Sequence, residues 1–288
     1  MMRIAGVFVL LWSCGCAAPP APAPAPVSEE VRRILEWEKS LRVGFVWPPG
    51  KSNLEDGRLV VTADPRPQFE GNVLYEGRFF VDLDGYLMFV ADERARSEDL
   101  NFGILKWYRA LRSGTFSVQY RYAFFRSYSG GPNYSDLLND VQFLHTGVRT
   151  VTVKKAEREL DDLLPVREWE KTLRVELPRI EGRKYPDDAF LEVSSGDMPE
   201  LGKDVHFDGH CFVDVDGYLD LMGSISGHSN YSNYGVMKWY RRIRSGTVAI
   251  QYRYTFFRSF SGGKIWQDWT RDMEILHSGL RTIVVKKD

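Results

Sequence analysis

The chain is short of cysteine, of net charge and of long apolar stretches, and each shortage removes a class of protein. Of three cysteines, Cys14 and Cys16 fall close to the start, which leaves Cys211 alone in the rest of the 288 residues. A lone thiol cannot cross-link a fold, so the body must be held by an apolar core. Acids and bases nearly cancel, 39 Asp and Glu against 38 Lys and Arg, for a formal charge of −1. A set so balanced and interspersed gives no long-range field to draw in nucleic acid. The apolar run from Ile4 to Trp12 is far shorter than the about 20 residues that a membrane-spanning helix needs. There is no Walker loop, no dinucleotide fingerprint and no Gly-x-Ser-x-Gly elbow, so the chain lacks the usual nucleotide-binding and serine-hydrolase signatures.

Aromatic residues are plentiful, with 14 Tyr, 17 Phe and 8 Trp, and they favour sheet structure. The first 18 residues have the three-part layout of a secretory signal: Arg3, the apolar run, then Ser13-Cys14-Gly15-Cys16-Ala17-Ala18. Leu11-Trp12-Ser13-Cys14 resembles the lipobox of bacterial lipoproteins, with Trp12 as its one departure. The resemblance implies lipid attachment at Cys14, a membrane partner reached through that anchor, and a place in the cell envelope, with Gly15 after the cysteine pointing to the outer membrane. The other reading is cleavage near Ala17 or Ala18 and a secreted or periplasmic protein. Residues 19–27 form a stalk: proline and alanine alternate through Pro26, and such a segment extends by about 3 Å per residue as a semi-rigid spacer.

Compared with itself, the chain repeats at one constant offset. Glu36-Trp37-Glu38-Lys39 returns as Glu168-Trp169-Glu170-Lys171, Phe80-Val81-Asp82 as Phe212-Val213-Asp214, and Lys106-Trp107-Tyr108-Arg109 as Lys238-Trp239-Tyr240-Arg241. The longest match, Arg112 to Gly131 against Arg244 to Gly263, needs no gap. The reading is two repeat domains, residues 28–155 and 156–288, each folding on its own.

Phe116, Val118, Tyr120, Tyr122 and Phe124 alternate with smaller or polar residues, the period-two pattern of a strand. Phe79 to Val90 reads as a hairpin turning at Asp84-Gly85, a dipeptide that tolerates positive φ. Leu41 to Val43, Leu59 to Val61, Leu191 to Val193 and Val148 to Val153 supply further strands. Ser28 is placed to cap a short helix carrying Val31, Ile34 and Leu35; Leu160, Leu163 and Leu164 hint at its counterpart, interrupted by Pro165. Strand after strand with Gly, Pro and Asp between them predicts an all-β chain of two tandem antiparallel sandwiches. The segment from Trp107 to Tyr122 with Arg149 to Val153 resembles the last strands of bacterial immunoglobulin-like domains, without their Cys…Trp…Cys core. The alternative is an α+β repeat, with Asn101 to Leu111 and Ser135 to Leu144 as helices on one sheet face.

Candidate chemistry is sparse, and no catalytic, cofactor or metal site is assigned. Asp82-x-Asp84-Gly85 and Asp214-x-Asp216-Gly217 look like part of a calcium loop, but Phe80 and Phe212 stand where a ligand is needed, so they read as turns. His206, His210 and Cys211, with His228 beyond, lack a third ligand at zinc spacing, and the histidines read as surface residues on a strand. His145 and His277 occupy matching positions and read as turn residues, and the pairs Asp136/Asp140 and Asp268/Asp272 read as solvated acids. Arg126 and Arg258 lie among aromatic rings, and Tyr134, Trp266 and Trp269 sit on the loops after the twin Gly-Gly pairs. These five are the candidate binding residues, suited to a glycan or a protein of the envelope. The functional expectation is a non-enzymatic, tethered binding or structural module; the alternatives are an accessory interaction subunit of an envelope assembly, or an envelope hydrolase built on Asp136, Asp140 and His145.

Overall fold

The computed structural model describes residues 27–157, 163–224 and 230–287. Cys14, the stalk to Pro26, Leu160 and His228 lie outside them.

In the first repeat, helix α1 (Glu29–Glu38) leads into a two-stranded ribbon, β1 (Arg42–Val46) and β2 (Arg58–Thr62). Ser28 caps α1 as its sequence demands, its hydroxyl accepting from the Val31 N–H at 3.2 Å. A hairpin follows, β3 (Val73–Leu83) and β4 (Tyr86–Asp92). Helix α2 (Ser97–Ala110) then carries the chain across β3 to β5 (Thr115–Ser127), and one turn of helix, α3 (Tyr134–Leu137), precedes β6 (Val141–Lys154). The strands form an antiparallel sheet in the order β4-β3-β5-β6.

The second repeat reproduces this with α4 (Leu164–Glu170), β7 (Arg174–Glu176), β8 (Glu192–Ser194), β9 (Val205–Val215), β10 (Tyr218–Ser224), α5 (Asn230–Arg242), β11 (Gly246–Ser259), α6 (Trp266–Trp269) and β12 (Met273–Lys287). Its sheet runs β10-β9-β11-β12. Pro165 lies in the first turn of α4, where its missing N–H costs no hydrogen bond, so it opens that helix and does not interrupt it.

The described chain is therefore mostly β, built on two four-stranded antiparallel sheets. Trp107 to Arg109, expected in a strand, lie in α2: Leu100, Ile104 and Leu105 are buried at helical spacing beneath it. Ser135 to Leu144 divides between the single turn α3 and the start of β6.

Each large sheet buries both faces. In the first, Phe79, Val81, Phe116, Val118, Tyr120 and Tyr122 pack beneath Ile34, Trp37, Leu41, Leu59 and Ile104 from α1, the ribbon and α2. The opposite face meets the matching face of the other sheet, where Phe80 and Leu87 pack on Phe212 and Leu219. The face-to-face pair of large sheets thus forms between the copies. Both outer cores also recruit across the repeat boundary: Phe257, Met273 and Ile275 enter the first, and Ala123, Phe125 and Val141 the second.

The contacts between the copies are reciprocal. Arg112 N–H donates to Met273 O at 2.8 Å, and its equivalent Arg244 N–H donates to Val141 O at 2.9 Å. The Arg112 guanidinium forks onto Asp272 and that of Arg244 onto Asp140. Arg253 reaches Gly85 O at 3.2 Å and Arg121 reaches Gly217 O at 3.1 Å, so each hairpin tip is gripped by the other copy. Residue i touching j while j's counterpart touches i's is the signature of a two-fold contact. The repeats are arranged as a dimer within one chain.

Candidate functional site

The twin Asp-Gly motifs are turns with full structural employment. Asp84 has φ 51° and Gly85 φ 94°, the left-handed pair that a two-residue hairpin requires. Asp82 accepts from the Gly85 N–H at 2.7 Å and from Gln119 at 2.9 Å, and Asp84 accepts from the Thr115 N–H at 2.9 Å. Burial raises the pKa of Asp82 and of Asp214, against the pull of the Gly85 and Gly217 N–H groups respectively and of Arg121 and Arg253.

His145 and His277 sit on strands, not turns, and each meets a glutamate at the end of the repeat's first helix. His145 Nε2 lies 2.9 Å from Glu38, which also takes Arg149 at 2.9 Å; His277 lies 2.7 Å from Glu170, which takes the Tyr254 hydroxyl as well. The recurrence of Glu-Trp-Glu-Lys with Leu-His at one offset was the available signal, but sequence alone did not pair them. Asp136 caps α3 and Asp140 holds Arg244, so these two acids and His145 serve three separate places.

His206 stacks on Trp269 at 3.9 Å and 8°, whereas His210 lies buried beside the Tyr86 hydroxyl at 3.1 Å. Cys211 points to the other face of β9, into the apolar core. Among the described residues no group of three or more His, Cys, Asp or Glu side chains is placed to hold a metal ion.

The aromatic loops turn inward. Trp266 packs between Phe257 and Trp107, at 5.5 and 6.5 Å between ring centres, and Trp269 joins the same first-repeat core. Tyr134 packs against the second-repeat core, so the three rings do not form one exposed stripe. Arg126 pairs with Glu30, and Arg258 lies 4.0 Å from Glu274.

One of these five residues, Tyr134, contacts the rim of a groove in the first repeat that sequence reasoning missed. Three adjoining depressions of about 290, 530 and 240 Å³ share Arg66 and Tyr75. One wall is the segment from Ala63 to Gly71, and α1 with the turn after it holds it in place. Trp37 Nε1 donates to Asp64 O at 2.9 Å, the Ser40 hydroxyl accepts from the Asp64 N–H at 2.9 Å, and Arg33 donates to Gln68 O at 2.8 Å. The other wall is the first half of β3 with the end of β4. Arg66 lies over the Tyr75 ring at 4.5 Å and pairs with Glu93 at 3.6 Å. Glu93 also accepts from the Tyr120 hydroxyl at 3.0 Å, and that hydroxyl meets Tyr75's. Across the rim Arg94 lies over the Tyr134 ring at 4.8 Å, and Tyr134 donates to Glu76 at 3.0 Å. Burial raises the pKa of both Tyr75 and Tyr120, so both phenols stay protonated as donors.

The groove is not duplicated in character. At the equivalent offset Met198 replaces Arg66, Phe207 replaces Tyr75 and Trp266 replaces Tyr134, while the glycine and tyrosine that shape the floor, Gly77 with Tyr120, recur as Gly209 with Tyr252. The floor is therefore common to both copies, and the charged and phenolic groups around it are not. No family model, curated protein or solved structure matches the chain.

Proposed function

We propose that this protein is a non-enzymatic binding module of the cell envelope, tethered through Cys14 and held off the membrane by its Pro/Ala stalk. The observation that carries the reading is the groove around Arg66 and Tyr75. It is large enough for a ligand, lined by stacked guanidinium, phenol and carboxylate groups, and chemically distinct from its counterpart in the second repeat. Its fixed donors and acceptors suit recognition. The finer fold reading, an immunoglobulin-like repeat, rests on Trp107 to Tyr122 and Arg149 to Val153, and α2, which takes in Trp107 to Ala110, departs from it.

Two experiments test the proposal. Labelled palmitate should enter the wild-type chain and not Cys14→Ala; equal labelling of both removes the anchor. Full-length protein should retain a component of envelope extracts or of pelleted peptidoglycan. The double variant Arg66→Ala, Glu93→Ala should lose it while keeping its circular dichroism. Retention equal to wild type would place binding elsewhere.

A further inference from the structure

We infer that the groove takes an extended peptide, which adds to the open half of β3 as a strand; this rests on reading the groove as the binding site. The first observation is which residues line it. Tyr75, Glu76 and Gly77 are consecutive and all face one depression, and Val73, Leu74 and Tyr75 all face its neighbour. Successive side chains of a strand point to opposite faces, so a hollow touched by three in a row opens on the strand's edge and not on a face of the sheet.

The second observation is where β4 ends. Its pairing with β3 stops at Arg78 opposite Asp92, while β3 continues back to Val73, paired on its far side with β5. In an antiparallel ladder a residue's N–H and C=O point to the same side, and the side alternates along the chain. Gly77 O accepts from the Glu93 N–H at 2.9 Å on the β4 side, and Asn72 O accepts from the Ser127 N–H at 2.8 Å on the β5 side. Tyr75, two residues from Gly77, therefore offers its N–H and C=O to the open side, where no backbone group among the described residues pairs with it. Unpaired edge groups bordering a hollow are the template for strand addition.

The third observation is charge. Arg66 has Glu93, but Arg94 has only the Tyr134 ring, with no carboxylate within 4.0 Å among the described residues. A bound strand with an acidic side chain facing Arg94 supplies the missing partner, and its apolar side chains have Phe69 and Leu74 to pack against.

The test uses the full-length protein and short acetylated, amidated peptides of alternating Val and Thr carrying one Glu. Peptides with Glu should bind more tightly than those with Gln, and Arg94→Ala should erase that preference. N-methylation at the residues whose N–H faces Tyr75 should weaken binding about tenfold, the loss of one edge hydrogen bond or more. Methylation at the intervening residues should not. Tyr75→Pro, which removes the edge donor without touching the β5 ladder, should abolish binding, whereas Tyr75→Phe should keep it. Equal binding by the two methylated series, or binding that survives Tyr75→Pro, overturns strand addition and leaves the groove reading standing. Groove-dependent retention of peptidoglycan with no peptide bound does the same. Loss of every groove-dependent ligand overturns both.

Discussion

Glu170 is pulled two ways. Burial works to raise its pKa, and the hydrogen bonds from Tyr254 and His277, with Arg281 nearby, outweigh that and hold it below the ordinary glutamate value; Glu38 is lowered in the same manner. A carboxylate depressed on folding stabilises the fold above its unfolded pKa, and that contribution disappears as pH falls through the folded value. Urea titrations should therefore show Glu170→Gln less stable than wild type at neutral pH, with the gap closing in acid. Cys211 gives a second check. Burial pushes its thiol up to about 12, so with Cys14 and Cys16 replaced, a thiol reagent should modify it only at the rate of global unfolding. A third check is steric. A Cβ on Gly77 would lie 2.3 Å from the Tyr120 hydroxyl, so Gly77→Ala should cost about 1–3 kcal/mol in chemical denaturation. Residues with a local mechanism, such as Ser28 or Asp84-Gly85, were legible in the sequence. Glu38 with His145 was not, because more than a hundred positions separate partners that only the sheet brings together.

At the scale of elements, the strands were the easiest to read, since the alternation from Phe116 to Phe124 buries the whole aromatic row. Helix α2 was harder: Gly103 and Asn101 weaken its helical signal, and Arg96 before it provides no side-chain cap. The polar face of β3 and β5 was also misleading, because the other sheet covers much of it. Arg78, with Glu76 and Asp220 as partners, has a side chain only 16% exposed between the sheets. Removing one member of a buried charge set strands the others. Arg78→Ala should therefore destabilise by about 3 kcal/mol, and Arg78→Ala with Asp220→Ala by less than the sum of the single changes; a strictly additive double-mutant cycle would contradict the coupling. The groove escaped notice for a related reason. Its lining comes from the segment after β2, the start of β3 and the end of β4 with the residues just beyond, and no short motif gathers Arg66, Tyr75 and Glu93.

At the scale of the molecule, duplication was plain in the sequence, but its geometry was not. The repeats share cores and trade hairpin tips, so they should behave as one cooperative unit. A protease site placed within residues 158–162 and then cut should leave two fragments that co-elute and unfold together in a single urea transition. Separation on dilution would show that the peptide link, not the interface, keeps them joined. The two-fold arrangement also has a consequence for specialisation. A pair of identical subunits must display every change of surface at both ends, so any alteration that suits a guest at one end is imposed on the other. Covalent fusion lifts that obligation: one end has Met198 and Phe207 while the other carries Arg66 and Tyr75, and a near-symmetric body acquires a direction.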